Sequence, residues 1–103
     1  MRRWREYAEK VAKAAKDLEP DAEVYVIGGV AEDRITVLSD IDILIVTKRK
    51  VEGREKKELK ADILIRAMDV YGLPFDAPVE LHLEDEEGAK RYFQTSKKAI
   101  KIA

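Results

Sequence analysis

Asp40-Ile41-Asp42 sets two carboxylates two residues apart at the head of the apolar run Ile43-Leu44-Ile45-Val46, and ten residues separate it from the glycine pair Gly28-Gly29. In an extended chain residues i and i+2 point to one face, roughly 6 to 7 Å apart, so Asp40 and Asp42 can both reach cations held on one side of a sheet. A glycine pair closing the preceding strand adds backbone that can approach a phosphate without side-chain obstruction. Together the two motifs have the layout of a metal-dependent phosphate site.

The elements that must position them can be read from periodicity. Trp4, Ala8, Val11, Ala12, Ala15 and Leu18 recur at helical spacing with Arg, Lys and Glu between them. Glu19-Pro20-Asp21 ends that helix, because proline disfavours the helical region at the residue before it. Glu23 to Ile27 is rich in β-branched and aromatic residues and reads as a short strand, punctuated by Gly28-Gly29, with a short helical turn expected after the glycines. A second strand is expected from about Asp40 to Thr47. Lys48 to Lys60 is a charged segment with a turn at Gly53, and from about Arg54 the spacing Ala61, Leu64, Ile65, Met68 restores a helical face that ends at Gly72-Leu73-Pro74. Val79, Leu81 and Leu83 alternate with Glu80, His82 and Glu84, the pattern of a strand with one buried and one exposed face. On that pattern His82, the single histidine, reads as a solvent-facing strand residue. A last helix is expected over Glu86 to Gln94, and an edge strand over Ala99 to Ile102. The fold class is therefore α+β, a small mixed sheet of three to four strands packed against helices.

Composition narrows the chemistry. The 103 residues suit one domain, spanning 1–103. Twenty basic against twenty-one acidic residues give a net charge of -1, which leaves no polybasic footprint for extended nucleic acid and favours a nucleotide as a small ligand. No apolar run approaches the ~20 residues of a membrane span. Met1-Arg2-Arg3-Trp4 opens an amphipathic pattern rather than a signal peptide, so a cytoplasmic location is expected. Without cysteine there are no disulfides or thiolate zinc sites, and oxygen ligands are the expected metal chemistry. Forty per cent charged residues, no asparagine and a single glutamine, Gln94, suggest a thermophilic source. Homo-oligomerisation is left open.

Topology makes the acids converge. Gly28 lies at the end of the first strand and Asp40 at the start of the second, so antiparallel pairing brings them to one edge of the sheet. The third strand follows a long helical crossover, which favours a parallel, right-handed return beside the second. Glu80, near the start of that strand, then stands beside Asp40 and Asp42.

This pattern of Gly28-Gly29, a loop, acid-hydrophobic-acid at Asp40-Ile41-Asp42, and a later strand carrying a third acid at Glu80 resembles the DNA polymerase beta superfamily. It is most similar there to the minimal nucleotidyltransferases, stand-alone catalytic domains of about this size. The resemblance implies the nucleotidyltransferase fold, with Asp40, Asp42 and Glu80 as catalytic residues and metal ligands for two Mg2+ ions. Such ions, roughly 3.5 to 4 Å apart, clamp the attacking and leaving oxygens of an in-line displacement. It also implies that the backbone after Gly28 and Gly29 binds the phosphates of ATP or another NTP, and that a nucleoside monophosphate is transferred with release of pyrophosphate. Minimal nucleotidyltransferases are commonly paired with small helical HEPN proteins, and some relatives transfer AMP to a tyrosine of such a partner. At this length there is no room for an acceptor-gripping domain, so the acceptor is expected on another chain.

Two departures stand out. Gly29 occupies a position where minimal members commonly have serine, and Glu32 and Asp33 of the following loop bring negative charge, with Arg34 beside them. The acidic loop favours a second reading, a catalytically weak nucleotide-binding antitoxin or interaction protein on the same fold. Retention of three acids favours the enzyme.

Overall fold

Small side chains let the first helix lie close to the sheet. In α1 (Trp4–Leu18) the buried stripe is Ala8, Val11, Ala12, Ala14 and Ala15, while Leu18, expected on that stripe, is 37% exposed. The structure is a computed structural model and describes residues 4–28, 40–95 and 98–103. Gly29 and the acidic loop Glu32-Asp33-Arg34 lie outside the described residues.

β1 (Glu23–Ile27) pairs antiparallel with β2 (Ile41–Thr47), and β2 pairs parallel with β3 (Val79–Asp85). β4 (Ile100–Lys101) adds to the other edge of β1, giving the order β3-β2-β1-β4. The backbone bonds Ile102 N–H to Val24 O and Val24 N–H to Ala103 O, both 2.8 Å, carry this contact to the last residue. The parallel return from β2 to β3 runs through α2 (Gly53–Tyr71), as a crossover helix requires.

Alternation divides the strands between two cores. Val24, Val26, Ile41, Ile43, Ile45 and Leu83 face α1 and α2, whereas Ile27, Leu44 and Val46 face α3 (Glu86–Thr95) through Ala89 and Tyr92. The central strand β2 is thus apolar on both faces except at Asp42 and at Thr47, whose buried hydroxyl donates to Arg49 O at 2.7 Å. Since an unpaired buried hydroxyl is costly, that bond accounts for Thr47, the one buried polar residue among the described residues.

Gly53 turns the chain at φ 58 where the second helix begins, as its place in the sequence suggests, but one expectation changes here. The face of α2 that meets the core is Leu59, Ile63 and Ala67, with Leu64 and Met68 only flanking it; Ala61 is exposed and Ile65 is 50% exposed. Apolar residues lie around much of this helix, so spacing alone admits more than one stripe, and packing against α1 chooses. Gly72 at φ 74 closes α2, its N–H returning to Ala67 O, the left-handed terminus that glycine allows.

α1 and α2 are also tied at the surface. Asp17 accepts hydrogen bonds from the Tyr71 hydroxyl and from Arg66 Nε, the latter at 2.8 Å. Those donors, Tyr71 first and then Arg66, hold the Asp17 carboxyl below its ordinary value of 3.8. A depressed carboxyl contributes stability above its unfolded value and loses it as pH falls through the lower folded value. Asp17→Asn is therefore expected to melt below the parent at neutral pH, with the gap closing below pH 3.8. Melting curves across this range check it; a gap that persists unchanged in acid would assign the loss to packing instead.

Candidate active site

The site forms where three elements meet at one end of the sheet. Ile41 N–H donates to Pro78 O at 2.7 Å, which pins the start of β2 against the chain entering β3. The next residue pair in that ladder is Asp42 opposite Glu80, and on its other side Asp42 stands opposite Ile27 of β1. Register partners in a ladder share a face, so the two carboxylates emerge side by side on the face that α3 covers further along. α3 stops short of them: Ala89 closes over Leu44 and Val46, leaving the Asp42 side chain 30% exposed and Glu80 exposed.

Gly28 follows β1 directly and turns the chain at φ 75, a left-handed conformation that glycine adopts without strain. A Cβ at this position would stand 2.7 Å from Asp42 Oδ2. The glycine is therefore required twice, once by its dihedral and once by the carboxylate against its backbone. The expected convergence of the glycine turn with the acids holds for Gly28, Asp42 and Glu80.

Asp40 is exposed and lies one residue ahead of β2, before the first ladder pair. It falls outside the tight group that the structure assembles, whose third member is His82. One ligand atom each from Asp42, Glu80 and His82 lies within 4.8 Å of the others. The reading of His82 as solvent-facing is thus corrected: its Nε2 is 3.2 Å from Asp42 Oδ1 and its side chain is 23% exposed. The cause is α3. Its Tyr92 ring packs on the imidazole with centroids 5.3 Å apart, and the Tyr92 hydroxyl is 3.5 Å from Nδ1. The β3 face that alternation marks as exposed is roofed at His82, while Glu80 stays exposed.

Local sequence places that roof. Asp85, the last residue of β3, accepts the Gly88 N–H at 2.8 Å and so caps α3 at the point where the strand ends. Glu86 and Glu87 occupy its first turn, where negative charge suits the helix dipole. Gly88 leaves room for Glu84, whose Oε1 would stand 2.5 Å from a Cβ there, and Glu84 in turn accepts from Lys56 of α2 at 3.0 Å. Sequence spacing does contain the signal for His82, since Glu80 and His82 are two apart on one strand face.

The donor set of two carboxylates and an imidazole, partly open to solvent, fits a divalent cation. Asp42 and Glu80 could hold it, and Gly28 leaves the space beside Asp42 clear of side chain.

No curated protein matches this sequence. Among solved structures, an inferred nucleotidyltransferase from Sulfolobus solfataricus superposes with TM-score 0.70 at 20% identity, over 96% of this chain and 78% of that one. A second inferred nucleotidyltransferase gives 0.61 at 26% identity, over 90% and 94%. A toxin–antitoxin solved with AMP-PNP gives 0.61 at 18% identity, over 91% and 70%. These likenesses establish the α+β fold, with three helices and a four-stranded sheet among the described residues, as nucleotidyltransferase-like. The family model for the nucleotidyltransferase domain matches residues 8–102. That span includes every described strand and the site residues Gly28, Asp42, Glu80 and His82, and the chain belongs to the nucleotidyltransferase domain family.

Proposed function

We propose that this chain is a divalent-metal-dependent nucleotidyltransferase that moves AMP from ATP onto a hydroxyl, the acceptor being a tyrosine of a small helical partner of the HEPN class. The observation that carries the reading is the Asp42–Glu80 ladder pair with Gly28 set against Asp42. Family membership supports the reaction type. The toxin–antitoxin neighbour, itself solved with AMP-PNP, favours both the adenine nucleotide and a protein partner.

In this reading Asp40, Asp42 and Glu80 hold the cations, Mg2+ being the ion the superfamily resemblance implies. A bound divalent ion supplies Lewis-acid charge to the phosphoryl oxygens and eases deprotonation of the incoming hydroxyl. Gly28 and Gly29 offer backbone to the triphosphate where a side chain would block it. Glu80, exposed at the rim, stands toward solvent, from which the acceptor hydroxyl arrives, and is placed to receive its proton. The acceptor oxygen forms its bond to the α-phosphorus as the bond from that phosphorus to the α,β-bridging oxygen breaks, and pyrophosphate leaves. Among the described residues no helix is long and apolar enough to cross a membrane.

The test is ATP labelled at the α-phosphate, incubated with the chain, a divalent cation and lysate of its source cells, reading pyrophosphate and the mass of labelled species. Label on a small protein, lost in Glu80→Gln while ATP binding is largely kept, is the expected result. Label confined to RNA or a small molecule rules out the protein acceptor. ATP binding with no pyrophosphate at all supports the alternative, a catalytically weak antitoxin on this fold.

A further inference from the structure

The same geometry points to His82 as a direct ligand of the cation at Asp42 and Glu80, through Nε2, giving a mixed nitrogen–oxygen site that selects a first-row transition ion such as Mn2+ or Co2+ over Mg2+. This rests on the proposed metal-dependent reading of the site and specifies which ion that site holds.

Three facts converge on it. One ligand atom each from Asp42, Glu80 and His82 lies within 4.8 Å of the others. Nε2 is the ring nitrogen turned to the carboxylates, 3.2 Å from Asp42 Oδ1. The other nitrogen, Nδ1, faces the Tyr92 hydroxyl at 3.5 Å, which is where a metal-binding imidazole needs an acceptor for its remaining proton. Contact with the Tyr92 ring restrains the imidazole in this orientation, so little ordering is left for binding to impose.

Chemistry then chooses the ion. Mg2+ demands near-ideal octahedral oxygen coordination and keeps several waters. Imidazole binds it poorly and instead raises affinity along the first-row series from Mn2+ upward. A purely carboxylate pair at this position would leave Mg2+ and Mn2+ close in affinity; the imidazole separates them.

The rival account of the contact is that His82 only donates a hydrogen bond to orient Asp42. The two accounts differ in whether nitrogen touches the metal. Electron spin-echo spectroscopy of Mn2+ bound to the intact chain, without nucleotide, is expected to show 14N coupling from one imidazole, and His82→Gln is expected to lose it. Absence of that coupling in the parent overturns the assignment without recourse to any variant. By titration, His82→Gln is expected to weaken Co2+ by at least the roughly 10- to 100-fold seen when an outer-sphere partner of a metal is removed, while changing Mg2+ far less. Equal losses for both ions, or none for either, also overturn it. Neither readout needs turnover, so nitrogen coupling without pyrophosphate release would count against nucleotidyl transfer and not against His82. Pyrophosphate release without coupling would do the reverse.

Discussion

Asp42→Asn is expected to abolish metal-dependent transfer and leave the fold intact. Asp42 is the acid that adjoins Glu80 across the ladder, Gly28 behind it and His82 at 3.2 Å. Cation charge at a phosphoryl oxygen supplies several kcal/mol of transition-state stabilisation. With about 1.4 kcal/mol per tenfold, the loss in kcat/KM is roughly three orders of magnitude or more. Stability should move the other way in metal-free buffer, because removing one of two adjacent carboxylate charges relieves repulsion and Asn keeps an oxygen for the imidazole N–H. The parent should gain Tm on addition of divalent metal, by about 2.7 kcal/mol of linkage at a hundredfold excess over Kd, and the variant should gain almost none. Melting curves with and without metal, beside pyrophosphate release, check both halves. A variant whose Tm rises with metal as the parent's does would place the ion elsewhere.

Gly28→Ala is expected to cost both stability and metal affinity, and Gly53→Ala separates the two causes. Both glycines have positive φ, 75 and 58, so alanine at either pays a conformational penalty of about 1–2 kcal/mol, or roughly 4–15 °C in Tm for a domain of this size. Only at Gly28 does the new methyl meet a neighbour, Asp42 Oδ2 at 2.7 Å; at Gly53 nothing lies within 4 Å. The Asp42 carboxylate must swing away from Gly28, and it cannot then hold its place beside Glu80. Metal affinity should thus fall in Gly28→Ala and stay at the parent value in Gly53→Ala, while both variants lose Tm. Calorimetric titration with Mn2+ decides: a parent-like affinity in Gly28→Ala would show that the carboxylate can bind from another rotamer.

Much of this architecture is a local property of the chain. Alternation at Val79, Leu81 and Leu83, the β-branched run from Ile41 to Thr47 and the stripe of α1 each encode an element whose period is unambiguous, and each forms where periodicity places it. The parallel pairing of β2 with β3 also follows from sequence, because the helical crossover between them allows few other returns. Gly28 and Asp42 carry their placement in residue type and spacing: glycine suits the positive-φ turn and the close carboxylate, and Asp42 is the acid at the head of an otherwise apolar strand.

The rest depends on which neighbour arrives. Leu59, Ile63 and Ala67 form the inner face of α2 rather than the Ala61, Leu64, Ile65, Met68 stripe, because the apolar residues of that helix span more than one face and α1 with the sheet determines which is buried. Alternation identifies the polar side of β3 but not what lies over it. α3, capped by Asp85, folds back across that side and lays Tyr92 on His82. Ladder register does the remainder: pairing begins at Ile41, so Asp40 is left ahead of the strand while Asp42 meets Glu80. Sequence by itself thus determined the elements, their order and the acids at the sheet's edge, since each rests on residues close in the chain. Tertiary packing decided that the group drawn together is Asp42, Glu80 and His82, because that choice rests on contacts between elements forty residues apart.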